Sequence, residues 1–239
     1  KKILITRAQG FIGSILISKL IKKMQKFNFY LRTALKENIV LLSGKSLDVS
    51  KINFSKKNIF IINNYGINIA ARLKKVTYVL FNDESLHDFI FNYDLSENQS
   101  IITTYRVYLK YKLLLQRKNI NCILFDYFEK KAIKYLNFNS GNPDNILFPN
   151  SLLVLLFGLK IFNRKIYLYG CDGMDKIKNF EDTYHKDIIK YHSTVFKKES
   201  FNIFKDQLVL NERVNKKDFK NVINMNPDSK ITSFPKFKY

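Results

Sequence analysis

Cysteine is scarce in this chain of 239 residues, which contains only Cys122 and Cys171. Each stands in an apolar run of the kind that forms a buried strand. The disulfide framework of a small secreted domain, or the cysteine knuckle of a structural zinc site, needs more cysteines at closer spacings. We therefore expect two buried thiols in a protein of a reducing compartment.

The sequence also lacks an apolar run long enough to cross a membrane. Its most apolar window, residues 146–162, is interrupted by Pro149 and Asn150 and is shorter than the ~20 residues that a bilayer span needs. No secretory signal peptide is apparent, because the opening run contains glycines and polar residues. We expect a core helix in this window and a cytoplasmic protein, with peripheral contact at the inner membrane face left open.

Acidic residues are few, since 20 Asp and Glu stand against 41 Lys and Arg, and the formal net charge is +21. A field of this sign attracts phosphate-bearing ligands and anionic lipid surfaces. The excess is mostly lysine spread along the whole chain, whereas proteins that read nucleic acid favour clustered arginine. We expect no nucleic-acid partner, and we leave open that an AT-rich coding sequence accounts for part of the lysine.

Apolar residues make up 46% of the chain, enough for a buried core. Strand-like runs lie at 2–6, 38–43, 58–63, 76–81, 121–125, 165–170 and 221–225, and helical periodicity lies at 12–26, 105–116, 151–162 and 187–205. Alternation of strands that are apolar on both faces with helices is typical of a parallel sheet covered on both sides. The pattern predicts an α/β fold with a doubly wound, mostly parallel Rossmann-like sheet.

A glycine loop occurs near the start of the chain, in ILITRAQGFIGSILISKL at 3–20. It resembles the opening strand, loop and helix of NAD-dependent epimerases and dehydratases, in which a helix N-terminus receives a pyrophosphate. Gly10 and Gly13 match the pattern, but Arg7 replaces the first glycine. We treat residues 1–30 as a separate epimerase-like segment, and a nicotinamide-dependent nucleotide-sugar epimerase or dehydratase is the alternative function.

Two longer blocks, residues 38–89 and 148–173, resemble bacterial lipooligosaccharide sialyltransferases. In the first, NIVLLSGKSL carries a strand into a glycine loop that closes in Ser-Leu, and two later strands run into Asn. In the second, FPNSLLVLLFGLKIFNRKIYLYGCDG has a polar turn, an apolar helix and a strand ending in Tyr-Leu-x-Gly-x-Asp. The resemblance implies a nucleotide-sugar-binding domain over 36–239, with a small lid at about 173–205 after the sixth strand.

The resemblance implies a donor site at the ends of these strands. A glycine loop lets backbone N–H groups approach a phosphate without a Cβ in the way. Asparagine offers both a donor and an acceptor to sugar hydroxyls, and a polar residue at a helix N-terminus caps its free N–H groups. The expected donor-binding residues are Ser43, Gly44, Ser46, Asn64, Asn82, Asn150, Ser151, Asp172 and Ser229, with Asn63 as an alternative to Asn64 and with Asn150 and Ser151 as the cap.

Histidine is also scarce, with three in the chain, and a histidine suits the removal of a proton near neutral pH. The resemblance implies that His192, in a His-Ser pair, is the general base. It also implies that His185, beside Tyr184, contacts the departing nucleotide phosphate. Met174 and Phe180 stand near positions where the family has tyrosines, which leaves open a weakly active or inactive protein or another donor.

The activity implied by the resemblance is glycosyl transfer. The expected reaction moves sialic acid or a related acidic sugar from a CMP-activated donor to a cell-surface glycan or glycolipid. The family works without a metal, and Asp172 and Asp175, three apart on a loop, are weak evidence for one. We therefore expect no metal and no cofactor besides the CMP-sugar donor. A basic binding module without catalysis is a third hypothesis.

Overall fold

The structure is a computed structural model. It describes residues 36–42, 44–62, 73, 75–81, 83–92, 99–136, 148–173 and 210–238. The predicted strand at 2–6 and the predicted helices at 12–26 and 187–205 lie outside the described residues. The division into a segment at 1–30 and a domain at 36–239 therefore stays a prediction, as does the lid.

The described strands form one seven-stranded sheet in the order β5-β4-β3-β2-β1-β6-β7. Their bounds are β1 Glu37–Leu41, β2 Lys57–Ile62, β3 Thr77–Val79, β4 Ser100–Thr103, β5 Asn121–Leu124, β6 Ile166–Tyr169 and β7 Val222–Asn224. Every pairing between neighbouring strands is parallel. The predicted α/β fold with a Rossmann-like sheet is confirmed.

Helices cover both faces of this sheet. They are α1 Asp83–Asn92, α2 Tyr105–Arg117, α3 Asp126–Leu136 and α4 Phe148–Lys160, and short 3-10 helices cover Val49–Lys51 and Lys216–Phe219. Successive residues of a strand point to opposite faces. Ile39 and Leu41 accordingly pack in one core with α1 and α2, whereas Val40 packs in the other core with α3 and α4. The sheet is therefore doubly wound.

The sequence pattern does not predict β4, α1 or α3. β4 has four residues, SIIT, too few for a pattern to distinguish from a loop. α3 buries Phe128, Ala132 and Leu136 on a single stripe, and lysines separate them in the sequence. α4 is predicted at 151–162 but begins at Phe148, with Pro149 in its first turn, where a missing N–H costs nothing.

The C-terminal segment, residues 210–238, is held against α3 and α4 by aromatic rings. The ring of Phe219 lies 5.3 Å from that of Phe157 on α4 and 5.9 Å from that of Phe234. The hydroxyl of Tyr135 on α3 donates to Asp218 at 2.8 Å and accepts from the backbone N–H of Asn215 at 2.9 Å. These contacts fix β7 beside β6 and so position the loop that follows β7.

Both cysteines are buried thiols, as predicted, with Cys122 8% and Cys171 1% exposed. Burial raises the pKa of Cys122 to about 12, and burial together with the charge of Asp172 raises the pKa of Cys171. Because the thiolate is the reactive form, both cysteines should be inert in the native protein at pH values near neutrality.

We expect each thiol to react with Ellman's reagent at least about 100-fold more slowly in the folded protein than in urea, given a free-cysteine pKa near ~8.5. The release of thionitrobenzoate at mildly alkaline pH measures both rates. The urea-unfolded protein is the control, because it should release two equivalents, one for each cysteine in the sequence. A fast first equivalent from the native protein would contradict the buried position of one of them.

Candidate active site

The direction in which successive strands are added to the sheet changes at β1. The chain builds strands outward from β1 to β5 and then returns to place β6 on the other side of β1. The loops that leave β1 and β6 therefore lead to opposite sides of the sheet, and open α/β sheets bind ligands in the crevice at such a switch point. Of the predicted donor-binding residues, Gly44 and Ser46 follow β1, and Asp172 follows β6.

Asp172 joins the two loops. Its carboxylate accepts from the backbone N–H of Ser46 at 2.9 Å and from the Ser46 hydroxyl. It also accepts from the side-chain amide of Asn226, in the loop after β7, at 2.7 Å. A carboxylate that accepts several hydrogen bonds forms stronger ones than a neutral group would. One side chain therefore ties together the carboxyl ends of three neighbouring strands, β1, β6 and β7.

Gly44 lies against the chain at the end of β6. Its N–H donates to the carbonyl of Gly170 at 3.0 Å. A Cβ on Gly44 would overlap that carbonyl oxygen and would stand 2.6 Å from Oδ2 of Asp172. Gly170 itself has φ of 73°, a left-handed conformation that glycine adopts without strain. The glycine after β1 is thus required for the contact between the two loops, whether or not a phosphate is bound.

Ser229 holds the loop after β7 to the loop after β6. It is 3% exposed, and its hydroxyl lies 2.6 Å from the carbonyl oxygen of Cys171 and 2.8 Å from that of Asp172. The N–H of Lys230 also donates to the carbonyl of Asp172, at 2.7 Å. Ser229 therefore has a partner inside the chain, and its expected contact with a donor stays a prediction.

Two asparagines of the site are absent from the sequence prediction. Asn224 is fully buried, and its amide donates to the carbonyl of Cys171 at 2.9 Å. Asn226 contacts Asp172, and its Oδ1 accepts from the N–H of Asp228 at 2.9 Å. The sequence feature that could have indicated them is the Asn-Pro-Asp turn that follows the strand predicted at 221–225. The side chain of an asparagine in a turn commonly forms a hydrogen bond with the backbone two residues later.

The prediction that Asn150 and Ser151 cap a helix is wrong. α4 begins at Phe148, so both residues lie inside its first turn. Ser151 is 5% exposed. The helix was predicted from the apolar run at 152–159. This run does not show where the helix begins, because Phe148 and Pro149 also fit a first helical turn. A contact between either residue and a donor stays a prediction.

The other predicted site residues lie outside the described residues. They are Ser43, Asn64, Asn82, Tyr184, His185 and His192. Their expected roles stay predictions. The structure brings together Gly44, Ser46, Asp172 and Ser229, each of which lies in a loop at the carboxyl ends of β1, β6 and β7.

A cavity of about 490 Å³ opens at the other end of the strands. Lys36, Lys56, Lys57 and Arg164 line it, together with Glu37. Lys57 donates to Glu37, and this hydrogen bond holds the pKa of the Glu37 carboxyl below its usual range. The cavity adjoins the amino ends of β1 and β2, so it is remote from the crevice around Asp172.

Neither a metal cluster nor a membrane-spanning helix is found in the described ranges. Among those residues, no three His, Cys, Asp or Glu side chains form a group that could hold a metal ion. Within the same part of the chain, each helix is too short or too polar to cross a bilayer.

No protein-family model matches this chain, and no curated protein matches it. Among solved structures, the chain is similar to a mutant of the alpha-2,3/8-sialyltransferase CstII. The TM-score is 0.40 and the sequence identity 16%, over 84% of this chain and 86% of that chain. A likeness of this degree does not extend to the donor, the acceptor or the catalytic residues of this chain.

Proposed function

We propose that this chain is a glycosyltransferase of the sialyltransferase type. It transfers sialic acid or a related acidic sugar from a CMP-activated donor to a cell-surface glycan or glycolipid. The observation that supports this most is the contact between Ser46 and Asp172, which are 126 residues apart. They belong to the two separate blocks that resemble sialyltransferases, and they meet at the switch point where α/β sheets bind ligands.

The donor occupies the crevice above Gly44 and Asp172 in this proposal. A CMP-sugar with an acidic sugar carries a phosphate and a carboxylate, and the net charge of +21 favours an anionic ligand. Lys45, between Gly44 and Ser46, is exposed and adds a cation at this edge. Asn64 and Asn82 follow β2 and β3 in the sequence and supply amide contacts to ribose or sugar hydroxyls.

The transfer itself needs a base and a stabilised leaving group. His192 accepts the proton of the acceptor hydroxyl as the acceptor oxygen forms its bond to the anomeric carbon of the sugar. The bond from that carbon to the phosphate oxygen breaks, and its electron pair leaves with CMP. His185 and Tyr184 donate hydrogen bonds to the departing phosphate. They belong to the predicted lid, which starts directly after Asp172 in the sequence.

Binding of CMP tests the donor class. We expect CMP at about 100 times its Kd to stabilise the fold by ~2.7 kcal/mol, which raises the Tm of a chain of this size by about 5–10 °C. Differential scanning fluorimetry measures the shift, with NAD and ADP as the control nucleotides. Stabilisation by NAD and none by CMP would replace this proposal with the epimerase.

A further inference from the structure

The solvent face of α2 contains an apolar strip, where a helix of this kind normally has polar or charged side chains. Val107 and Leu115 are buried in the core, and on the opposite side of the helix Leu109 is 49% and Leu113 69% exposed. Residues four apart are neighbours on one face, so the two leucines form a continuous apolar strip. A surface helix usually places polar side chains there.

Basic side chains surround this strip. Arg106, Lys110, Lys112 and Arg117 are exposed, and α2, with the sequence YRVYLKYKLLLQR, contains no acidic residue. We refer to the exposed side chains of α2 at Leu109, Leu113 and these four cations as the α2 surface.

A third apolar side chain stands on the neighbouring helix. Phe91 of α1 is 55% exposed, and its ring lies 4.5 Å from that of His87. The His87 ring is in turn 6.0 Å from that of Tyr111 on α2. The exposed apolar area therefore continues beyond α2 onto α1.

The composition of the α2 surface discriminates between possible partners. A second copy of the chain in a two-fold contact would bring each of these cations against cations of the same kind, which is repulsive. Nucleic acid would be attracted by the positive charge but would gain nothing from Leu109 and Leu113. The boundary of an anionic bilayer accepts both, because leucines enter the acyl region while Lys and Arg contact the lipid phosphates.

We propose that the α2 surface binds anionic lipid bilayers. Leu109 and Leu113 enter the interface, and Arg106, Lys110, Lys112 and Arg117 contact headgroup phosphates. The helix lies on the membrane with its core side still packed on the sheet. This proposal does not depend on glycosyl transfer, and its test uses no sugar nucleotide.

Sedimentation with vesicles tests it. We expect the full chain to sediment with phosphatidylcholine vesicles that contain phosphatidylglycerol, and to stay in the supernatant with phosphatidylcholine alone. The double variants Leu109→Gln with Leu113→Gln, and Lys110→Glu with Lys112→Glu, should each weaken binding at least about tenfold. The substituted side chains are exposed, so an unchanged Tm should accompany the loss.

Two matched controls separate this surface from the general charge of the chain. Ile161→Gln changes an apolar side chain that is 60% exposed at the end of α4, and Lys216→Glu with Lys217→Glu reverses two exposed charges near β7. Each should leave binding within about twofold of the wild type, since these sites are outside the α2 surface.

Three results would overturn the proposal. The first is that the wild type does not bind phosphatidylglycerol vesicles. The second is that a control variant loses as much vesicle binding as its matched α2 variant. The third is that the chain forms a dimer, which Leu109→Gln with Leu113→Gln dissociates while vesicle binding is unchanged. Analytical ultracentrifugation detects the last. A fourth result, vesicle binding that duplex DNA competes away and that the leucine variants do not weaken, would overturn the proposal in favour of nucleic acid.

Discussion

Replacing Gly44 by Ala is expected to lower the free energy of unfolding by about 2–3 kcal/mol. The new Cβ would overlap the carbonyl oxygen of Gly170 and would stand 2.6 Å from Oδ2 of Asp172. Both neighbours are fixed, one as backbone and the other as the acceptor of hydrogen bonds from Ser46 and Asn226. The loops after β1 and β6 would have to separate, and urea denaturation measures the cost.

The same substitution should weaken binding of CMP, because the crevice of the proposed donor site lies between these loops. Lys45→Ala is the matched control for stability, since it shortens an exposed side chain in the same loop and should change the free energy of unfolding by no more than about 0.5 kcal/mol. If Gly44→Ala proved as stable as the wild type, the close approach of the two loops would be incorrect.

Replacing His192 by Ala is expected to reduce kcat for sialyl transfer by about 10²–10⁴-fold, the usual contribution of a general base. Binding of CMP should change little, because in the proposed mechanism the base acts on the acceptor hydroxyl and not on the nucleotide. Initial rates of CMP release from CMP-sialic acid, with and without an acceptor glycan, measure the first effect, and thermal shift with CMP measures the second.

His87→Ala is the matched control for this variant. It removes the same side chain from an exposed position on α1, where the ring packs beside Phe91 and Tyr111, and it should retain the wild-type rate. Full activity of the His192 variant would assign the base to another residue, with His185 as the next candidate. Loss of CMP binding in the His192 variant would instead mean that the residue holds the donor.

The fold class was predictable because the apolar runs are long enough to stand out. Residues 38–43 and 58–63 coincide with β1 and β2 within one or two positions, and strands buried on both faces leave continuous apolar segments in any sequence. β4 was not predictable in this way, since a four-residue strand is held by its pairing with β3 and β5 more than by its own composition.

Part of the candidate site was also predictable. Gly44 and Ser46 are predicted from the glycine loop that follows a strand, and the resemblance to sialyltransferases implies Asp172 and Ser229. Parallel strands bring the loops at their carboxyl ends to one edge of a sheet. The partners of each residue were not predictable. The role of Asp172 as an acceptor for Ser46 and Asn226 depends on β1, β6 and β7 being neighbours.

The sequence by itself determined the layers of this protein, a parallel sheet with helices on both faces, because burial on two sides requires apolar runs at set intervals. It also determined that its cysteines are buried. Only the tertiary structure decided the strand order, which places β6 and β7 beside β1. That order places Oδ2 of Asp172 2.9 Å from the backbone nitrogen of Ser46, which is 126 residues away. No local sequence pattern predicts this hydrogen bond, because it results from how distant segments pack.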